Sequence, residues 1–535
     1  MTENAQPEIP TQKLIENALK SKEKYLDLNR RELTQLPKEI VKIHSLEDLY
    51  AYENKLDSLP DNIGSLNKLR RLSLSENHLV TLPKSIGKLK LLEMLDVRHN
   101  KLTSLPSTIG KLASLKKFYA RFNQFTTLPK EIGNLKSLMF LSLRRNKIND
   151  IPKEMGKLNN LNVLDLSYNQ ITQIGSWVGT MGNLRILDAR YNKLVKLDPN
   201  IGSCKTLTKL HLSYNSLKEI PSTIVNIKTL QELDLEGNQL ISLPPELNQL
   251  TSLKLLMLNR NPLRTLQEDL FKNFGELTDL NLAYSQLSNL PRSISYLTSL
   301  QTLDLSNNEF VSLPPEIGNL QKVHELNLNE NQLQSLPPEI GKLNNLKEVQ
   351  IEGNQLKELP PQIETLSSLR KMNINDNKLN SLPKEISKLN SLKELFLNEN
   401  KITQLPQSFG ELKSLTILKM EENKLEKIPP QIGKLSLLES LVLSGNKLKE
   451  LPPEIGLLCS LKEFNVSENK LTILPPEIAL LSNLTELDVL DNPLKSPPEQ
   501  ICEEGPDFVL QYLARQLRER INQQNMANLD DDDKD

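Results

Sequence analysis

One asparagine, met again every 23 residues, sets the limits on what this chain can fold into. Residues 66–88 read LNKLRRLSLSENHLVTLPKSIGK, a skeleton L-x-x-L-x-L-x-x-N-x-L followed by L-P-x-x-I-G. The asparagine falls at Asn54, Asn77, Asn100, Asn123, Asn146, Asn169, Asn192, Asn215, Asn238 and Asn261. One step of 24 follows, with Ser285 in the slot, and the shorter step resumes from Asn308 to Asn492. Counting back from Asn54 places Arg31, in YLDLNRREL, in the slot of an incomplete first turn. A chain of 535 residues would ordinarily suggest several domains, but a repeat held over nearly its whole length grows by addition instead.

A period in the twenties with this leucine pattern is that of a leucine-rich repeat. Leu69, Leu72, Leu74 and Leu79 cannot be buried by one turn alone, whereas stacked turns bury them in a continuous core. The L-x-L segment predicts a short strand, and successive strands stack in parallel about 4.8 Å apart. The asparagine turns inward, where its amide can satisfy backbone groups of its own and neighbouring turns. Serine does part of this, so Ser285 marks a weaker rung. Pro sets an extended entry to the outer segment and Gly is expected to allow the bend back. The predicted fold is an α/β solenoid, a horseshoe with a parallel concave β-sheet, short helical or extended convex segments and a helical cap at each end.

The pattern divides the chain. Residues 1–10 are polar and expected to be disordered. Residues 11–24 predict an N-terminal cap helix with Leu14, Ile15, Ala18 and Leu19 on one side. Residues 25–497 form the solenoid, about 20 turns with an irregular one at 262–285. Two further turns depart from the pattern, Ile174-Gly175 with Trp177 behind it, and Leu197-Asp198-Pro199. Residues 498–521 predict a C-terminal cap helix with Val509, Leu510, Tyr512, Leu513, Leu517 and Ile521 facing the last turn, and 522–535 an acidic disordered tail ending DDDDKD.

Net charge is −1, which argues against a nucleic-acid or membrane role for the molecule as a whole. Cys204, Cys459 and Cys502 are far apart and flank neither end as a cluster, so a reducing, cytoplasmic setting is expected, with Cys204 in a leucine slot as core. No apolar run is long enough to span a membrane or act as a signal peptide. There is no G-x-x-x-x-G-K-[ST], C-x-x-C, H-E-x-x-H or G-x-S-x-G, and the histidines stand apart from one another and from cysteine. No enzyme activity, cofactor or metal site is expected.

What varies informatively is the predicted concave face. Side chains six, four, two and one residues before each asparagine point outward by the period-two rule. In the turns ending at Asn54 through Asn215 these positions carry Tyr50, Tyr52, Arg71, Arg98, His99, Tyr119, Arg121, Phe122, Arg144, Arg145, Tyr168, Arg190, Tyr191 and Tyr214. In the later turns nineteen acidic residues face only Arg260, Lys371 and Lys419. Tyr and Arg are the residue types that concentrate binding energy at interfaces, so the first half reads as a protein-docking surface. The acidic half reads either as an electrostatically selective surface or as a solvated face. Its carboxylates repel phosphate, so nucleic acid is not an expected partner. A purely structural spacer would not need the aromatic–arginine cluster.

The segments YLDLNRREL, LDVRHNKL at 95–102, YARFNQF at 119–125 and LSLRRNKI at 141–148, with the cap GPDFVLQYL at 505–513, carry a resemblance. Over roughly residues 25–521 the chain resembles the intracellular Ras-group leucine-rich-repeat family, in particular its Shoc/Sur-type scaffolds of Ras–MAP-kinase signalling. The resemblance implies a non-enzymatic cytoplasmic scaffold, monomeric on its own. It would hold a GTP-bound Ras-family GTPase and the catalytic subunit of protein phosphatase 1 on the concave face, with Arg98, Arg121 and Arg144 as partner contacts. One departure is that no Phe or Trp here has Val or Ile two residues before it, so the phosphatase would have to dock on the concave surface alone. The alternative is a bacterial-type leucine-rich-repeat effector or adhesion protein that binds a host protein, because the LPKEIGKL phrases look much like those proteins.

Overall fold

In the computed structural model the chain is described over residues 9–532, with side chains through residue 525; all but the end of the expected disordered segment 1–10 lies outside the described residues. Two compact units divide the chain, Met1–Pro262 and Leu263–Asp535, so the stretch read from sequence as one solenoid is described as two. The division falls at the start of the irregular turn.

The N-terminal unit begins with helix α1, Thr11–Ser21, whose Ile15 and Ala18 are buried. It stops short of residue 24 because Lys22 adopts a left-handed conformation (φ 54°) and its N–H returns to the carbonyl of Ala18. Three-residue parallel strands then run from Tyr25–Asp27 to Leu255–Met257. They pair one repeat apart, as Arg71 with Met94, Leu72 with Leu95 and Ser73 with Asp96. The C-terminal unit repeats this arrangement from Asp279–Asn281 to Glu486–Asp488. Each unit is a leucine-rich-repeat solenoid built on a parallel sheet. Leu69, Leu72, Leu74 and Leu79 are fully buried, as their spacing predicts.

The asparagines do the work expected of them. Asn100 Nδ2 donates to the carbonyls of Leu74 (2.9 Å), Arg98 (3.1 Å) and Val97 (3.2 Å), and its Oδ1 accepts from Leu79 N at 2.9 Å. One amide thereby satisfies backbone groups in its own turn and the one before. Ser285 is fully buried, but among the described residues its hydroxyl reaches Ala283 O alone, at 3.3 Å. In its irregular turn Leu270, Phe271 and Phe274 fill the core.

On the outer side each L-P-x-x-I-G segment makes a short 3-10 turn, such as Lys84–Lys88 after an extended Pro83. The glycine there, expected from the sequence to allow the bend back, does not have its backbone in the left-handed region. A side-chain carbon on Gly318 would stand 2.6 Å from the carbonyl oxygen of Glu339, so at this turn glycine permits the close approach of the next one. The two turns lacking Leu-Pro differ again: Gln173–Ile174 pairs in parallel with Lys196–Leu197. Without proline at those positions the backbone N–H groups are free to pair.

The C-terminal end carries helices α2, Glu499–Glu503, and α3, Pro506–Asp532, the latter packed on the outer turn Pro476–Leu480. Val509 and Leu513 are buried, and Leu510, Tyr512 and Leu517 half-buried, but Ile521 is 46% exposed and lies beyond the covered edge. The helix continues past residue 521 to Asp532, correcting the expected disorder there; residues 522–532 contain neither Gly nor Pro to stop it. Residues 533–535 lie outside the described residues. No helix among the described residues is long and apolar enough to cross a membrane.

Candidate functional site

After each strand the chain must turn to bring the asparagine inward. It does so by placing the residue just before the asparagine in the left-handed region. His99 (φ 51°), Phe122 (φ 56°), Arg145 (φ 53°), Tyr168 (φ 55°), Tyr191 (φ 52°) and Tyr214 (φ 53°) occupy this slot on six successive turns. Side chains in one slot recur about 4.8 Å apart, close to the separation of stacked rings. They stack accordingly. The His99 and Phe122 centroids are 4.1 Å apart, Tyr168 and Tyr191 4.3 Å, and Tyr191 and Tyr214 4.5 Å, each pair within 17° of parallel. Arg145 bridges the gap in this column, its guanidinium carbon 5.1 Å from the Phe122 centroid and 4.9 Å from that of Tyr168. Tyr191 remains 39% exposed and Tyr214 36%.

Beside this column runs a second, two residues before the asparagine, where Arg98, Arg121 and Arg144 lie on adjacent turns. The three are not equivalent. Arg98 is held by Asp96, with Nε donating to Oδ1 at 2.8 Å and Nη2 to Oδ2 at 2.6 Å, and Asp96 is only 5% exposed. Arg190 is held by Asp188 in the same way, at 3.0 and 2.7 Å. These hydrogen bonds raise the pKa of both arginines further. Where the residue two earlier is not aspartate the arginine is released. Arg121 follows Tyr119, and Arg144 follows Ser142. Arg121 lies 5.8 Å from the Phe122 centroid and Arg144 4.5 Å from that of Tyr168. Arg121 Nε is buried and has no hydrogen-bond partner among the described residues.

Of the residues singled out from sequence, the structure therefore brings together His99, Phe122, Arg145, Tyr168, Tyr191 and Tyr214, flanked by Arg121 and Arg144. Tyr119 packs on Phe140 (5.0 Å) and lies beneath Arg98 (5.4 Å). Three others sit apart at the start of the unit. Tyr50 packs on Tyr25 (5.4 Å), Tyr52 lies under Arg30 (5.6 Å), and Arg71 pairs with Asp48 (2.8 Å). Tyr25 and Arg30 were passed over because they belong to the incomplete first turn. They stand six and one residues before Arg31, so reading the outward positions of that turn as well would have found them.

Protonation follows the environment. Burial lowers the pKa of His99, and the charges of Arg121 and Arg98 lower it further against the opposing pull of Glu76, so the stacked imidazole is neutral at pH 7. The Tyr214 hydroxyl donates to Glu236 Oε1 at 2.7 Å, and this bond with burial raises its pKa to about 12. Cys204 is core, its thiol pushed up to about 11 by burial.

The acidic face of the C-terminal unit is laced with amides. Asn373 Nδ2 donates to Glu352 Oε2 (2.8 Å), Asn398 Nδ2 to Glu421 Oε1 (3.1 Å), and Gln350 Nε2 to Glu348 Oε1 (2.7 Å). Among the described residues no group of three His, Cys, Asp or Glu side chains could hold a metal ion.

Comparison with known proteins agrees with this architecture. Models of the leucine-rich repeat region match residues 61–145 and 361–441, and those of the leucine rich repeat match 134–194, 182–240, 251–310, 298–356, 321–379 and 437–458. A leucine-rich-repeat protein of Leptospira interrogans is 34% identical over 79% of this chain and 97% of its own, with a TM-score of 0.58. The Arabidopsis receptor kinase HAESA, solved with the peptide hormone IDA and the co-receptor SERK1, is 27% identical over 89% of this chain and 87% of its own (TM-score 0.64). YopM of Yersinia enterocolitica is 25% identical over 92% and 97% (TM-score 0.59). No curated protein sequence matches.

Proposed function

The chain belongs to the leucine-rich-repeat family, and on that premise we propose that it is a non-enzymatic protein-interaction scaffold whose partner docks on the sheet face of the N-terminal unit. The observation that carries this reading is the exposed column from His99 to Tyr214 with its flanking arginines. Clustered exposed rings need a reason, and Tyr with Arg is the pairing that supplies most interface energy. A HAESA-like fold engaging a peptide and a co-receptor supports docking of protein ligands in general.

In the finer form of this proposal the scaffold is cytoplasmic and holds a GTP-bound Ras-family GTPase, with the catalytic subunit of protein phosphatase 1 as a second partner. The resemblance of the arginine-bearing turns supports it, as do the free cysteines. Arg121 and Arg144 are then the contacts, since Arg98 is engaged by Asp96. The second reading, a bacterial-type effector or adhesion protein acting on a host protein, is favoured by the 34% identity to the Leptospira protein. Calorimetry of the full chain with Ras-family proteins, loaded with a GTP analogue or GDP, separates the two. Binding restricted to the GTP analogue and lost in Arg121→Glu/Arg144→Glu supports the GTPase scaffold. Binding to neither form removes it and leaves the second reading.

A further inference from the structure

Several basic side chains on the sheet face of the N-terminal unit are neutralised. Arg71 pairs with Asp48, Arg98 with Asp96, Arg190 with Asp188, and Lys209 with Glu232. Like Lys117, the arginines Arg121, Arg144 and Arg145 have no ion pair among the described residues. They lie on two adjacent turns, and their contacts are ring faces, Phe122 and Tyr168. The nearest aspartate in the register, Asp165, is already taken by the hydroxyls of Ser142 (2.8 Å) and Ser167 (2.7 Å). A ring face orients a guanidinium without using its N–H donors. The buried Nε of Arg121 has no partner among the described residues, so this guanidinium is not committed to a carboxylate.

We propose that these three arginines form a carboxylate-binding site for an acidic segment of a protein partner. The inference rests on the docking reading above and names the chemistry of what docks. Three oriented guanidinium forks on two turns about one strand spacing apart suit two or more adjacent carboxylates, each accepting two N–H bonds. The rings of Phe122 and Tyr168 keep water from one side of each fork and strengthen the pairing. A polyanion with a long phosphate backbone is disfavoured, because Asp96, Asp165 and Asp188 place carboxylates on the turns either side of the arginines.

The test uses the full chain and two fluorescein-labelled peptides, a Glu-Gly repeat and its Gln-Gly counterpart, with binding read by anisotropy. The expected result is binding of the Glu peptide at least about tenfold tighter than the Gln peptide, weakening as salt rises. Arg144→Glu/Arg145→Glu abolishes the preference, the size-conserving Arg144→Gln/Arg145→Gln reduces it, and Arg190→Gln leaves it unchanged. Equal binding of the two peptides, or an unaltered preference in both double variants, overturns the proposal. Displacement by inorganic phosphate more readily than by acetate assigns the site to phosphate and overturns it as well. A partner still lost on Tyr168→Ala/Tyr191→Ala while the Glu peptide shows no preference would remove the carboxylate assignment and leave the docking face standing.

Discussion

Tyr214 closes its column against Gly237: a side-chain carbon at 237 would stand 2.9 Å from Cδ1 of the tyrosine ring. Gly237 is itself left-handed, at φ +60°, as is the equivalent residue of the preceding turns. Gly237→Ala therefore adds a backbone penalty and pushes the ring off its seat. The expected loss is about 1–2 kcal/mol in urea unfolding. A matching change in tyrosine emission, as the 4.5 Å stack on Tyr191 opens, should accompany it. Unchanged stability and emission would mean that the ring has room to spare.

Asparagine in the repeat slot should be costly to replace. Asn146 Nδ2 bonds to Leu143 O (2.9 Å) and Ala120 O (3.1 Å), and its Oδ1 accepts from Phe125 N at 3.1 Å. Asn146→Ala strands a buried N–H and at least one carbonyl, for about 2–4 kcal/mol. Asn146→Ser should recover part of this, since a hydroxyl reaches a neighbouring carbonyl as Ser285 does. Circular dichroism melts of the two variants check the order.

The Tyr214–Glu236 bond has a pH consequence. The hydroxyl keeps its proton in the folded state until about pH 12, above the ordinary 10.0. A raised folded-state value means that the contribution is complete below pH 10 and is lost as pH rises through 12. Difference absorbance titration at the tyrosinate band should show one tyrosine fewer ionising near pH 10 in the wild type than in Glu236→Gln. Superimposable titrations would place the hydroxyl bond outside the folded ensemble.

The repeat made much of the fold legible, because Asn100 and Leu72 have only one way to be satisfied once their spacing is known. The left-handed residue before each asparagine was less visible. Period-two alternation treats His99 and Arg98 as parts of one patch, whereas the backbone turn sends them into separate columns. The difference between a tethered and a released arginine was also written in the sequence, as Asp96-Val-Arg98 against Tyr119-Ala-Arg121 and Ser142-Leu-Arg144. It needed the observed fork geometry to acquire meaning. The length of α3 was misjudged because an acidic composition near a terminus says nothing about helix termination when no Gly or Pro is present.

That difference between arginines yields the sharpest separation of stability from binding. Arg98 covers a carboxylate that is nearly buried, so Arg98→Ala leaves Asp96 charged without its fork and should cost about 1–2 kcal/mol. Arg144 covers no carboxylate, and Arg144→Ala forfeits only its contact with Tyr168, under about 1 kcal/mol. Asp96→Asn/Arg98→Gln, which removes the charge of both, should recover most of the single-variant loss. In a binding assay the order reverses. Arg144→Ala should weaken partner binding by about 1–3 kcal/mol, and Arg98→Ala by less, because its donors are already spent. If urea titration ranks the two arginines equally, the aspartate tether is not what distinguishes them.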